Sequence, residues 1–152
     1  MNREEIMRII PHRDNMLLID EAIVEDGVAK GKYRFKGDEW FLQGHFPGNP
    51  VVPGVILCEI LAQSASVLLL KEETENAVPY FTGIDSVKFK SIVRPGDVFT
   101  TECTILKKRG QFYFASGKGF VEEKLCVACN FSRRTKFSNF RMHLTKRVNL
   151  NT

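Results

Sequence analysis

The sequence predicts an α+β fold in which an antiparallel sheet wraps around one long central helix. Three observations carry that expectation: a segment of helical length that is apolar on nearly every face, Val55 to Leu70; a strong hairpin signal at Asp26-Gly27; and a run of strand-like segments with turn-like connections from Pro79 onward. A helix and a sheet that each present apolar surface bury it most economically against one another. The 152 residues are one domain's length, and a hydrophobic content of 43% is ordinary for a globular chain.

The elements follow in order. Asn2 to Ile10 carries Ile6, Met7, Ile9 and Ile10 and reads as a short amphipathic helix stopped by Pro11. Leu17 to Glu25 and Val28 to Phe35 flank Asp26-Gly27 as a hairpin, with Ala29, Gly31, Tyr33 and Phe35 sharing one face. The central helix would run about 24 Å at 1.5 Å per residue. Three of its four polar members, Glu59, Gln63 and Ser66, stand at i, i+4 and i+7 and form one polar stripe. Lys71 to Ala77 reads as a polar loop. Pro79 to Phe89, Val98 to Lys107, Gln111 to Val121 and Leu125 to Phe131 read as strands. The links Lys108-Arg109-Gly110 and Glu122-Glu123-Lys124 are short enough to force antiparallel pairing, and Phe112, Phe114 and Phe120 alternate onto one face. There is no internal repeat.

Chemistry concentrates between Gly44 and Gly54. Three of the six prolines and three of the eleven glycines lie in these residues, spelling a stiff backbone path with His45 at its start and the helix at its end. Inside that helix Glu59 is the one acid, and taking a carboxylate out of water costs several kcal/mol unless it is compensated or protonated. Glu59 is therefore expected to have a raised pKa and a function, with an interior ion pair to an arginine as the competing reading. Gln63 on the same face orients Glu59 or fills a polar niche, and Tyr80 and Phe81 read most simply as core aromatics.

Four stretches carry a resemblance. Gly44 to Ser64 (GHFPGNPVVPGVILCEILAQS), Tyr80 to Lys90 (YFTGIDSVKFK), Val93-Arg94-Pro95-Gly96-Asp97, and Pro11-His12-Arg13 followed by Met16-Leu17-Leu18-Ile19-Asp20 together resemble the β-hydroxyacyl-acyl carrier protein dehydratases of type II fatty acid synthesis. The match runs from near the N-terminus to about Phe131, so residues 1–131 form the expected domain. The glutamate at position 59 resembles the general dehydratase branch; the branch that also isomerises the double bond usually has aspartate there, and the residue alone leaves isomerisation open.

The resemblance implies the hot-dog fold, dimers that can assemble further into a trimer of dimers, and dehydration of a 3-hydroxyacyl thioester on acyl carrier protein. That reaction needs a base at C2, an acid for the 3-hydroxyl and donors for the thioester oxygen; a histidine and a glutamic acid with separated pKa values can share the proton work. It implies His45 as base and Glu59 as acid, directly or through water, from opposite subunits. Gly54 at the helix start would offer its N–H and the positive dipole end to the thioester carbonyl. Tyr80 matches a position that gates the acyl tunnel, and Phe81 and Gln63 join it as tunnel candidates. The carrier protein is acidic, which calls for a basic rim drawn from Arg13, Lys88, Lys90, Arg94, Lys107, Lys108 and Arg109. No metal or redox cofactor is needed. His12 more simply fixes the N-terminal loop.

Other function classes fare less well. Cys58, Cys103, Cys126 and Cys129 include a CxxC spacing, but no second Cys/His pair accompanies it, so they read as small, reduced, mostly buried thiols. The apolar run is short for a bilayer and contains Glu59, and Met1 to Glu5 lacks a signal peptide's apolar core, so a cytoplasmic protein without a membrane partner is expected. Residues 132–152 hold Arg133, Arg134, Lys136, Arg141, Lys146 and Arg147 with no acid, and supply the whole of the +4 net charge. This tail, which also contains His143, is a solvated extension, a basic arm, or a segment foreign to the domain as a frame change would produce. No recognised nucleic-acid module accompanies it. A hot-dog acyl-thioester hydrolase and a non-catalytic acyl-thioester sensor are the alternative functions.

Overall fold

The computed structural model describes residues 1–69 and 77–137. The end of the apolar run at Leu70, residues 71–76 of the expected loop and the tail from residue 138 lie outside them, whereas Ala77, expected to close that loop, opens a strand. Helix α1 (Arg3–Met7) is capped by Asn2, whose side chain accepts from Glu5 N–H while the Glu5 carboxylate accepts from Asn2 N–H. It is shorter than expected. Ile9 and Ile10 continue the turn, each N–H bonding to Ile6 O, and Pro11 follows.

Strands β1 (Glu21–Glu25) and β2 (Val28–Arg34) form the predicted hairpin. Asp26 and Gly27 both take positive φ, 50° and 76°, as the twist-matching two-residue turn requires. Ala29, Gly31, Tyr33 and Phe35 are all buried on one face. Leu17 to Asp20 is not part of the strand. Leu17, Leu18 and Ile19 are all buried, and side chains replace a ladder there: Arg3 donates to Leu17 O and Ile19 O, and Gln63 accepts from Leu18 N–H.

The central helix α2 (Gly54–Ser66) has ten buried residues. Val67, Leu68 and Leu69 bond back three residues to Ser64, Ala65 and Ser66, so the regular helix ends before Leu70 in a tightened last turn. It packs against β2, β4 (Val98–Arg109), β5 (Phe112–Val121) and β6 (Lys124–Phe137). With β3 (Ala77–Phe89) the strands form one antiparallel sheet in the order β1-β2-β4-β5-β6-β3. Tyr113 and Ala115 face the helix side and are buried. Phe112 and Phe114 lie on the other, exposed face. β6 continues past the expected end at Phe131, pairing with β3 as far as Phe137.

Gly119 permits the closest packing within the sheet: a Cβ there would collide with the ring of the fully buried Phe99. All four cysteines are free and buried, and the two of the CxxC spacing have separate surroundings. Cys126 Sγ lies 3.4 Å from Lys124 O on β6, whereas Cys129 and Cys58 influence one another across the helix–sheet interface.

Candidate active site

The loop before α2 is held by bonds that its prolines cannot donate. Phe46 and Asn49 exchange N–H···O bonds of 3.0 and 2.9 Å around Gly48, which takes φ 71°. Val51 N–H donates to His45 O at 2.8 Å, and Val52 N–H ties the segment to Val93 O at 2.8 Å. Arg94 Nη1 donates to Asn49 Oδ1 at 2.9 Å, anchoring the turn from outside. The frame fixes one imidazole atom: His45 Nδ1 lies 2.8 Å from Val51 O. A carbonyl only accepts, so Nδ1 carries the proton, and in the neutral ring Nε2 holds a lone pair.

Gly54 is the first residue of α2, where N–H groups have no acceptor within the helix. A Cβ there would sit 2.7 Å from Phe89 Cε1, so any side chain at this position would displace the exposed Phe89 ring. One and a half turns on, Glu59 is mostly buried. Its Oε1 accepts from Gln63 Nε2 at 2.9 Å and lies 3.1 Å from His12 Nε2. Gln63 is fully buried and wholly engaged, donating also to Met16 O at 2.8 Å and accepting from Leu18 N–H at 2.9 Å.

The expected upward shift at Glu59 is not what this environment produces. Burial is the largest single influence and does push the carboxyl up, but hydrogen bonds from His12 and Gln63 and the nearby charge of Arg133 together outweigh it and hold the pKa below its ordinary value. The sequence showed the desolvation and hid the compensation. His12 lies 47 residues before Glu59 in the chain, and Arg133 lies 74 residues after it. The motif Pro11-His12-Arg13 was the available signal for the first. Nothing in the polar run Ser132 to Lys136 marked the second as interior.

The remaining candidates are dispersed. Among the described residues no hydrogen bond or ion pair joins His45 to Glu59. Tyr80 is 53% exposed on β3, whereas Phe81 is half-buried against Phe131, with the Arg133 guanidinium 4.9 Å from its ring centroid. Lys88 and Lys90 are exposed at the end of β3 and just beyond it. Arg13 instead donates to Ile10 O, His12 O and Met7 O, closing the end of α1.

A helix wrapped by a six-stranded antiparallel sheet makes this a hot-dog protein, and comparison with solved structures agrees. The dehydratase heterocomplex ApeI:P from Xenorhabdus doucetiae superposes with a TM-score of 0.73 at 18% identity, covering 86% of this chain and 90% of that one. The FabA-like domain matches residues 10–130. The 3-hydroxyacyl-[acyl-carrier-protein] dehydratase FabZ of Petrotoga mobilis is 44% identical over 128 residues, 84% of this chain and 92% of its own length. That of Caldicellulosiruptor saccharolyticus is 46% identical over 125 residues, 80% and 89% of the two lengths. The chain belongs to the FabA-like family.

Proposed function

We propose that the protein dehydrates 3-hydroxyacyl groups carried on acyl carrier protein to trans-2-enoyl thioesters in fatty acid biosynthesis. The observation that carries the reading is the pinned imidazole: Nδ1–H is held on Val51 O, so the neutral ring of His45 turns the lone pair of Nε2 outward from a braced loop beside the start of α2. Nε2 takes the proton from C2, the C2=C3 bond forms, and the C3–O bond breaks as Glu59 protonates the departing hydroxyl, which leaves as water. Gly54 N–H and the N-terminal end of α2 stabilise charge on the thioester oxygen.

Glu59 must hold a proton to act as the acid. Its burial already favours the neutral form, and covering the site with a second chain and an acyl group removes more water and strengthens that influence. A homodimer bringing His45 of one chain to Glu59 of the other accounts for their lack of contact within one chain. A trimer of such dimers is compatible with the same contacts. Tyr80 and Phe81 on β3 would line the acyl entrance, with Lys88, Lys90 and Arg94 offering a basic approach to the carrier protein. Among the described residues no helix is long and apolar enough to cross a membrane, and a cytoplasmic site of action fits the proposed partner.

The test is interconversion of 3-hydroxyacyl and trans-2-enoyl thioesters by wild type, His45→Ala and Glu59→Gln. Turnover that both substitutions abolish supports the assignment. A folded wild type inert on carrier-protein and coenzyme A thioesters alike, or one that only releases free thiol, overturns it.

A further inference from the structure

Glu59 is held by one of its two oxygens. Among the described residues both polar contacts of the carboxylate fall on Oε1: Gln63 Nε2 donates to it at 2.9 Å, and His12 Nε2 lies 3.1 Å away. The other nitrogen of that ring, His12 Nδ1, is buried with no hydrogen-bond partner. A proton on Nδ1 would be an unmatched buried donor, whereas a proton on Nε2 meets an acceptor, so in the neutral ring Nε2 is the nitrogen that donates. His12 is thus the opposite tautomer of His45, whose Nδ1 carries the proton.

The backbone around His12 holds the ring in this place. Pro11 stiffens the chain before it, and Arg13 donates from Nη1 to His12 O at 2.7 Å and to Ile10 O at 2.8 Å, and from Nη2 to Met7 O at 2.8 Å. A few residues on, Gln63 bonds to Met16 O and Leu18 N–H, so the segment from His12 to Leu18 is fastened to α2 through Glu59 and Gln63 together. The other groups packed around the carboxylate act on it without a hydrogen bond among the described residues. Arg133 on β6 acts through its charge, and Tyr113 on β5 is kept neutral by burial. On β4, Cys103 is pushed up to about 12 by burial and is neutral as well.

We propose that His12 is a positioning residue for the dehydration, which together with Gln63 occupies Oε1 of Glu59 and leaves Oε2 as the oxygen that delivers the proton to the departing hydroxyl. A carboxyl oxygen offers two lone-pair directions, and two N–H donors use both. A proton on Oε1 would displace one of them, so the neutral acid is Oε2–H with Oε1 as its carbonyl oxygen. As the C3–O bond breaks, the Oε2–H bond breaks with it and the proton joins the hydroxyl oxygen, which leaves as water. The carboxylate that remains keeps both donors on Oε1, so the group has no need to turn between its two states. The proposal rests on Glu59 being the catalytic acid, and it gives the motif Pro11-His12-Arg13 a part in the reaction beyond shaping the N-terminal loop.

The first measurement needs no substrate, so it stands apart from the functional assay. In protein labelled with ¹³C at glutamate carboxyl carbons, the Glu59 resonance is the one lost in Glu59→Gln, and its chemical shift is followed against pH. His12→Phe removes a donor that favours the ionised form and should raise the Glu59 midpoint by about one pH unit; His12→Gln, which can return an N–H to Oε1, should bring it most of the way back. On 3-hydroxyacyl thioesters kcat of His12→Phe should fall about ten- to a hundredfold with KM little changed, and the Glu59 limb of its pH profile should move upward, with His12→Gln again nearer wild type. An unchanged Glu59 midpoint in folded His12→Phe overturns the proposal even where wild type is active, whereas an inert wild type overturns the functional reading even where the midpoint moves. Should His12→Phe fail to fold, the imidazole ¹⁵N resonances of wild type decide. A neutral His12 ring protonated at Nε2, with signals that move at the Glu59 midpoint, supports the contact; a ring protonated at Nδ1, or indifferent to Glu59, overturns it.

Discussion

Replacing Gln63 by leucine strips a buried amide from the centre of the site while nearly preserving its volume, so the loss is one of hydrogen bonds and not of packing. The amide makes three bonds of 2.8–2.9 Å: from Leu18 N–H to Oε1, and from Nε2 to Met16 O and Glu59 Oε1. Leucine leaves the buried Leu18 N–H and the partly buried Met16 O unsatisfied. An orphaned buried group costs about 1–3 kcal/mol, and leucine's greater transfer into the core offsets part of the sum, leaving a net loss of about 3 kcal/mol. For a chain of this size that lowers the melting midpoint by roughly 6–12 °C, read by circular dichroism. Glu59 also loses one of its hydrogen-bond partners, so kcat should fall while the protein remains folded at room temperature. A midpoint lowered by less than about 2 °C would refute the claim that this amide ties the N-terminal loop to the helix.

Three further outcomes follow from the same geometry. Gly119→Ala drives a methyl group into the Phe99 ring, and overpacking of that kind costs about 1–3 kcal/mol, to be measured by urea denaturation against wild type; equal stability would contradict the packing described. Because the folded-state pKa of Glu59 is depressed, its charge contributes stability above the ordinary carboxylate value of 4.5, and that contribution disappears as pH falls through the lower folded-state value. Stability of wild type should therefore fall more steeply than that of Glu59→Gln on acidification, and parallel curves would exclude the linkage. Reversing charge at Lys88 and Lys90 together should lower kcat/KM on carrier-protein substrates at low salt and leave coenzyme A thioesters little affected; Arg94 is left intact because it braces the His45 turn.

The parts of the fold written in local chemistry were legible in the sequence. Asp26-Gly27 specifies its turn by the positive φ that both residues accept, and the Glu59–Gln63 contact follows from helical spacing alone. What escaped was long-range compensation. Leu17 to Ile19 looked like strand because its apolar run cannot reveal that Arg3 and Gln63 would satisfy its backbone. The sequence places the end of the last strand at Phe131 because Arg133, Arg134 and Lys136 resemble a solvated run, although Arg133 turns inward and β6 continues to Phe137. The direction of the Glu59 shift is hidden in the sequence for the same reason: burial is visible in its neighbours along the helix, whereas His12 and Arg133 act on it only through the tertiary fold.

The thirteen-residue strand β3 ends the sheet, and Tyr80, Ile84 and Phe89 stand exposed along it. Its pairing with β6 is broken by two irregularities, between Phe81 and Gly83 and between Asp85 and Lys88, which interrupt the flat ribbon such a margin would otherwise offer. A long open margin recruits other strands without discrimination; a kinked one accepts only a mate of matching curvature.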